Sequence, residues 1–189
     1  ARATADGYTL LLASSLAMTP HLQSGSAFDV QKDFAPIAVS RIEFALAVHA
    51  AVPVANLAEL VALAKANPGK YNYASAGIGS VHHLSMEWLK RLAGIDLVRI
   101  PYKGAGQIMP DLASGKVEVA YVGLAQTAPF VQADKVRVLA IGGPKRLAHA
   151  PQLAPIAETY RGFDGTTTWD LLAPAATPRE IADLGIAPQ

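Results

Sequence analysis

Apolar positions along the chain fall into two kinds of run. The first is short and mostly continuous, as in Tyr8–Ala13 (YTLLLA), Val117–Val122 (VEVAYV) and Val136–Ile141 (VRVLAI). Runs of that length predict buried strands. Tyr8–Ala13, apolar on both faces, reads as a central parallel strand. Shorter strands are predicted at Tyr71–Ala74, Leu97–Ile100 and Thr166–Leu172, the last ending at Pro174. A longer β-prone run, Ala35–Ala50, is interrupted by Arg41-Ile42-Glu43, and a strand of this length suits passage from one lobe to another. The second kind of run repeats every three or four residues. Leu57, Leu60, Val61 and Ala64 share one face of a helix that begins after Asn56 and ends at Asn67-Pro68-Gly69. Leu84, Trp88 and Leu92, at i, i+4 and i+8, predict the buried face of a helix over Ser80–Ala93, with Gly94 as its stop. Helices are also expected over Gln107–Ser114, closed by Gly115, and over Pro129–Ala133. Alternating strands and helices predict an α/β fold with a largely parallel sheet. Residues 1–40 with 164–189 read as lobe 1, and residues 41–163 as lobe 2.

The stretch Tyr71–Leu84 (YNYASAGIGSVHHL) joins a strand to a helix through small residues. Gly77 and Gly79 flank Ile78, so the backbone can approach a ligand closely. Ser80 is a good N-cap, and the first helical turn leaves N–H groups free. Such an end favours an anion, a carboxylate or a phosphate. A second glycine-bearing loop, Pro101-Tyr102-Lys103-Gly104-Ala105-Gly106, also follows a strand. Lys103 there reads either as an anion-binding lysine or as a solvated loop residue. Ser14 and Ser15, after the first strand, supply hydroxyls either to a ligand or to the next turn. Trp169, after three threonines, is a candidate cleft wall, whereas Trp88 reads as helix core.

Composition narrows the field. A hydrophobic content of 51% with 16% charged residues supports a sizeable core, and a net charge of +1 gives no electrostatic case for nucleic acid or an anionic membrane. The absence of Cys excludes disulfides and Cys-based zinc sites. No apolar run approaches the ~18 residues of a spanning helix. Several chemistries fail on spacing. Gly77-Ile78-Gly79-Ser80-Val81-His82 begins like a dinucleotide fingerprint, but His82 occupies the third glycine's place; Met109 does so after Gly104-Ala105-Gly106. There is no GxxxxGK[ST] loop and no GxSxG elbow. His82 and His83 are adjacent and face different sides of a helix, so they are not expected to bind metal together; His83 and Glu87 suit a helix-face pair. No nucleophile with a base, no catalytic residue, no metal site and no cofactor is expected. What remains is binding of an anionic small molecule. An α/β enzyme acting on an acidic or phosphorylated substrate is the alternative.

Several ordered segments carry a resemblance: DGYTLLLASS at Asp6–Ser15, FAPIA at Phe34–Ala38, YNYASAGIGSVHHL, IPYKGAG at Ile100–Gly106, VEVAYVGLAQTAPFV at Val117–Val131, KVRVLAI at Lys135–Ile141, PKR at Pro144–Arg146 and WDLLAPAATP at Trp169–Pro178. In that order they resemble the periplasmic solute-binding proteins of tripartite tricarboxylate transporters, also called Bug proteins. The resemblance implies a type II periplasmic binding protein fold: two α/β lobes joined by crossover strands, closing on a ligand between them. It implies a small organic acid as ligand, permease subunits in the membrane as partners, a periplasmic location and a monomer. A sensing role beside a membrane signalling partner is not separated from transport by sequence. Carried onto this chain, the ligand-binding residues are Ser75, Ala76, Gly77, Gly79, Ser80 and His83, faced by Ser14 and Ser15, with Tyr102 and Lys103 nearby; their own placement in the sequence adds Ile78, between the glycines, and Trp169 as a wall. The family's first strand and glycine-rich loop are expected before Ala1, and Pro178–Gln189 is shorter than the C-terminal helices expected. Val122 and Ala125 stand where many members have Asp and Pro, which favours an organic acid over an amino acid as the ligand.

Overall fold

In a computed structural model, residues 3–14 and 28–183 are described. The chain divides into two compact units, residues 1–42 with 167–189 and residues 43–166. It passes between them at Ile42–Glu43 and again at Thr166–Thr167.

Unit 2 is built on a five-stranded sheet, ordered β5-β4-β6-β3-β7. Its strands are β3 (Phe44–His49), β4 (Asn72–Ser75), β5 (Val98–Pro101), β6 (Val119–Gly123) and β7 (Val136–Ile141). Of the three interior strands β4, β6 and β3, the last two are the most buried: all of Phe44–Val48 and Val119–Gly123 are buried. β4 runs parallel to β5 and to β6, while β3 runs antiparallel to β6 and β7. The sheet is therefore mixed rather than largely parallel as expected. The apolar runs specify burial but carry no sign of direction, and β3 enters this unit from the other one.

Helices α1 (Leu57–Ala66), α2 (Val81–Ala93), α3 (Ile108–Ser114), α4 (Leu124–Gln132) and the short α5 (Ile156–Thr159) belong to this unit. A 3-10 turn at Ala105–Gln107 precedes α3. α1 starts on a reciprocal cap. Asn56 Oδ1 accepts from Glu59 N–H at 2.9 Å, and Glu59 accepts from Ala55 N–H at 2.7 Å. α4 is longer than the Pro129–Ala133 expected and carries Pro129 inside it. α2 keeps its expected ends, Ser80 as N-cap and left-handed Gly94 as C-cap, but its buried face is different. His82, Ser85, Met86, Leu89 and Ala93 are buried, whereas Trp88 and Leu92 are 40% and 41% exposed. The stripe chosen from the sequence was the flank: Trp88 lies over Phe163, with ring centroids 4.8 Å apart. A buried His and Ser hid the true core face.

Unit 1 holds an antiparallel three-stranded sheet, ordered β1-β8-β2, of β1 (Leu11–Ser14), β2 (Phe34–Ile42) and β8 (Thr167–Pro174). Among the described residues β1 pairs with β8 alone, and antiparallel, in place of the central parallel strand expected; Leu10, Leu11 and Leu12 are exposed. Ile37, Ala173 and Ala182 of the short helix α6 (Arg179–Ala182) form its buried cluster.

The reassigned face of α2 has a direct thermodynamic consequence. Leu89→Ala is expected to lower unfolding free energy by about 2–5 kcal/mol, as for a buried leucine. Leu92→Ala is expected to cost less than ~1 kcal/mol. Urea denaturation of both variants checks this, and equal losses would contradict the assigned face.

Candidate functional site

The turn between β4 and α2 forms because two of its residues adopt backbone angles that side chains resist. Gly77 has φ of 111° and Gly79 of 81°. A Cβ on Gly77 would meet nothing within 4 Å, so its requirement is conformational and not steric. Ile78 between them is lifted out and 79% exposed.

Three donors converge on one carbonyl. Gly77 O accepts from Ser80 Oγ at 2.8 Å, Ser75 Oγ at 3.2 Å and Ser80 N–H at 3.4 Å. Ser75 is fully buried, so its hydroxyl is fixed there. A trans peptide is planar, and its C=O and N–H point in opposite directions. Holding Gly77 O against the two serines therefore aims Ile78 N–H away from them. The N–H groups of Ala76, Gly77 and Ile78 enter no hydrogen bond among the described residues. The turn leaves three successive amide donors free beside a helix N-terminus, a setting that can accept an oxyanion.

Ser80 Oγ also accepts from His83 N–H at 3.3 Å, so it caps α2 while it donates to Gly77. His83 Nδ1 accepts from Gly79 N–H at 3.3 Å, which requires that nitrogen to be unprotonated. Partial burial, then Arg99 and Lys90, lower the His83 pKa against the opposing pull of Glu87, so the ring tends to stay neutral. Glu87 itself accepts from Tyr73 Oη at 2.6 Å and from Lys90 at 3.0 Å. It is these bonds, more than the expected His83 pairing, that occupy its carboxylate.

Tyr102 reaches the turn through its backbone, donating its N–H to Ser75 O at 2.8 Å. Its phenol turns to α3 and donates to Asp111 at 3.0 Å; burial and that carboxylate push its pKa up to about 12. Lys103 beside it is exposed. On unit 1, Ser14 and Ser40 are the direct cross-strand partners of Trp169, so the three share one face of that sheet. Ser15 lies outside the described residues. Among the described residues no group of His, Asp and Glu is placed to hold a metal ion.

Sequence reasoning missed two residues behind the turn. His82 was read as a failed third glycine and as no metal partner for His83. It is buried, and its Nδ1 donates to Tyr121 O at 2.6 Å, which fixes the proton on Nδ1. Its ring meets Phe44 edge-on at 5.5 Å. Tyr121, read as one more apolar strand residue, stacks on Phe44 at 5.4 Å and donates Oη to Gly165 O at 2.9 Å. The available signal was a tyrosine in a strand of small residues, with glycines at Gly142, Gly143 and Gly165.

Burial holds His82 neutral by lowering its pKa from 6.5. The unfolded chain then binds the proton first as pH falls, so stability is full above pH 6.5 and declines below it. His82→Asn keeps a donor at the Nδ1 position and removes the titration. Its unfolding free energy, measured between about pH 5 and 8, is expected to fall less steeply with acid, with His83 supplying the remaining slope. An unchanged slope would contradict this.

The sequence matches the family described as "Tripartite tricarboxylate transporter family receptor" over residues 1–184. It is 34% identical over 186 residues to a UPF0065 protein of Bordetella pertussis, covering 96% of this chain and 57% of that protein. Protein BugT of the same organism is 31% identical over 186 residues, again covering 96% of this chain and 57% of that protein. The chain thus spans little more than half the length of these relatives. Among solved structures, "R. palustris Rpa4515 with adipate" superposes with a TM-score of 0.87 at 30% identity, covering 96% of this chain and 62% of that one. The periplasmic binding protein BugD gives 0.86 at 30% identity, with 96% and 62% covered. MatC of Rhodopseudomonas palustris with bound malate gives 0.82 at 26% identity, with 95% and 62% covered. The fold is that of the periplasmic binding proteins, and the chain belongs to the tripartite tricarboxylate transporter receptor, or TctC/Bug, family.

Proposed function

We propose that this chain binds a small organic acid by one carboxylate, held at the turn 76–80, and releases it unchanged to the permease subunits of a tripartite tricarboxylate transporter in the periplasm. One observation carries the reading: two hydroxyls fix Gly77 O and leave the Ala76, Gly77 and Ile78 amides as donors at the start of α2. Family relatives captured with adipate and with malate support a carboxylate as the anion. Ser75 and Ser80 act on the peptide plane, and the backbone amides act on the ligand. Val122, buried in β6, offers no carboxylate to a ligand ammonium group, which favours a plain organic acid over an amino acid. Ile78, exposed beside the amides, shapes which acid chain is accepted. Ser14 and Trp169 are proposed as further ligand contacts.

Calorimetric titration with adipate and malate tests the turn. Ser80→Ala and Ser75→Ala are each expected to weaken binding by about 5- to 30-fold, or ~1–2 kcal/mol, through loss of the fixed peptide plane. Affinities equal to native would remove the serines from the site, and consumption of the acid, followed by NMR, would replace binding with turnover.

Trp169 is tested by fluorescence. Trp88 and Trp169 are the two tryptophans of the chain. A change in emission on adding adipate is expected in the native chain and lost in Trp169→Phe. Retention of the full change would place the reporter at Trp88 and contradict contact by Trp169.

A further inference from the structure

The turn that is proposed to hold the ligand is tied to the rest of unit 2 by a short series of contacts. His82, two residues after the cap Ser80, donates to Tyr121 O at 2.6 Å and packs against Phe44. Tyr121 stacks on Phe44 with its ring nearly parallel, at 12°. Its hydroxyl donates to Gly165 O at 2.9 Å. Phe44 O accepts from Gly142 N–H at 2.7 Å, and Gly142 O accepts from Gly165 N–H at 2.9 Å. Side chains are barred from this spot: a Cβ on either Gly142 or Gly165 would overlap the Tyr121 hydroxyl. From the exposed flank of α2, Trp88 also stacks on Phe163, two residues before Gly165.

Two of these residues have a special place in the chain. Phe44 comes directly after Glu43, where the chain enters unit 2, and Gly165 comes directly before Thr166, where it leaves. Both connecting segments are thus held to each other and to the first turn of α2 through Tyr121. A packed contact of this kind does not deform continuously, because interiors are dense and their side chains sit in discrete rotamers.

We propose that Tyr121 is a positioning residue that couples occupancy of the 76–80 turn to the two connecting segments, through His82 on one side and the Gly165 carbonyl on the other. The proposal rests on the carboxylate-binding reading above. A ligand oxyanion on the turn amides stabilises the first turn of α2 and with it the position of His82. His82 holds the Tyr121 backbone, and the Tyr121 hydroxyl holds the exit segment. Ligand-dependent ordering of residues 163–166 then needs the hydroxyl, whereas ligand capture at the turn does not.

Tyr121→Phe keeps the ring stacked on Phe44 and edge-on to Phe163 at 6.4 Å, and removes the hydroxyl with its bonds to Gly165 O and to the Ser85 side chain. Hydrogen exchange by mass spectrometry, on the full chain with and without adipate, reads peptides covering residues 76–84, 42–46 and 163–168. In the native chain adipate is expected to slow exchange in all three. In Tyr121→Phe, protection of 76–84 is expected to persist and that of 163–168 to be lost. A core variant at a distance, Leu60→Val, serves as the control for general destabilisation and is expected to retain the native pattern. Equal ligand protection of 163–168 in Tyr121→Phe and native would overturn the coupling, as would its loss in Leu60→Val. Adipate that protects nothing at 76–84 in the native chain would overturn the binding reading itself, and the coupling with it.

Discussion

Rotating the Gly77–Ile78 peptide by half a turn would bury an N–H against two serine hydroxyls and turn a carbonyl towards the position of an incoming anion. Ser75 and Ser80 prevent that rotation by both donating to Gly77 O. A carbonyl facing a carboxylate repels it, and an amide facing it attracts it, so the sign of the local field depends on this one peptide plane. Two glycines with positive φ make the plane attainable, and the serines select it.

The surrounding structure keeps those serines in place. Ser75 ends a strand whose neighbours, β5 and β6, hold it on both sides, and Tyr102 N–H closes on its carbonyl. Ser80 caps a helix whose buried face of Met86, Leu89 and Ala93 is anchored in the unit, with Tyr73 and Lys90 meeting on Glu87 at its flank. His82 and Tyr121 then connect the turn to the segments that enter and leave the unit. A local hydrogen-bond choice is thereby backed by a densely packed core, which is what a site needs to hold donors in position without ligand.

Much of this scaffold is legible in the sequence because it depends on local signals. The caps Asn56, Ser80 and Gly94, the breaks at Pro68-Gly69 and Gly115, and the split of the long run at Glu43 each reflect a residue with one strong conformational preference. Strand direction was not legible, since an apolar run looks the same in either sense; β1 and β3 show this. The face of α2 was misread because His82 and Ser85 are polar by type but buried by partnership. The candidate turn was visible from its glycine spacing. The roles of its hydroxyls were not, because a serine in sequence announces a donor without its acceptor. Tyr121 was hidden for the same reason: its partner lies 44 residues away.

The central claim is that the amides of Ala76, Gly77 and Ile78 receive the ligand's carboxylate. Amide chemical shifts followed by nuclear magnetic resonance during titration with adipate test it most directly. The expected result is downfield movement of those three amide protons, saturating together with one affinity. Saturable binding that leaves all three unmoved while shifting amides elsewhere in the chain would contradict it.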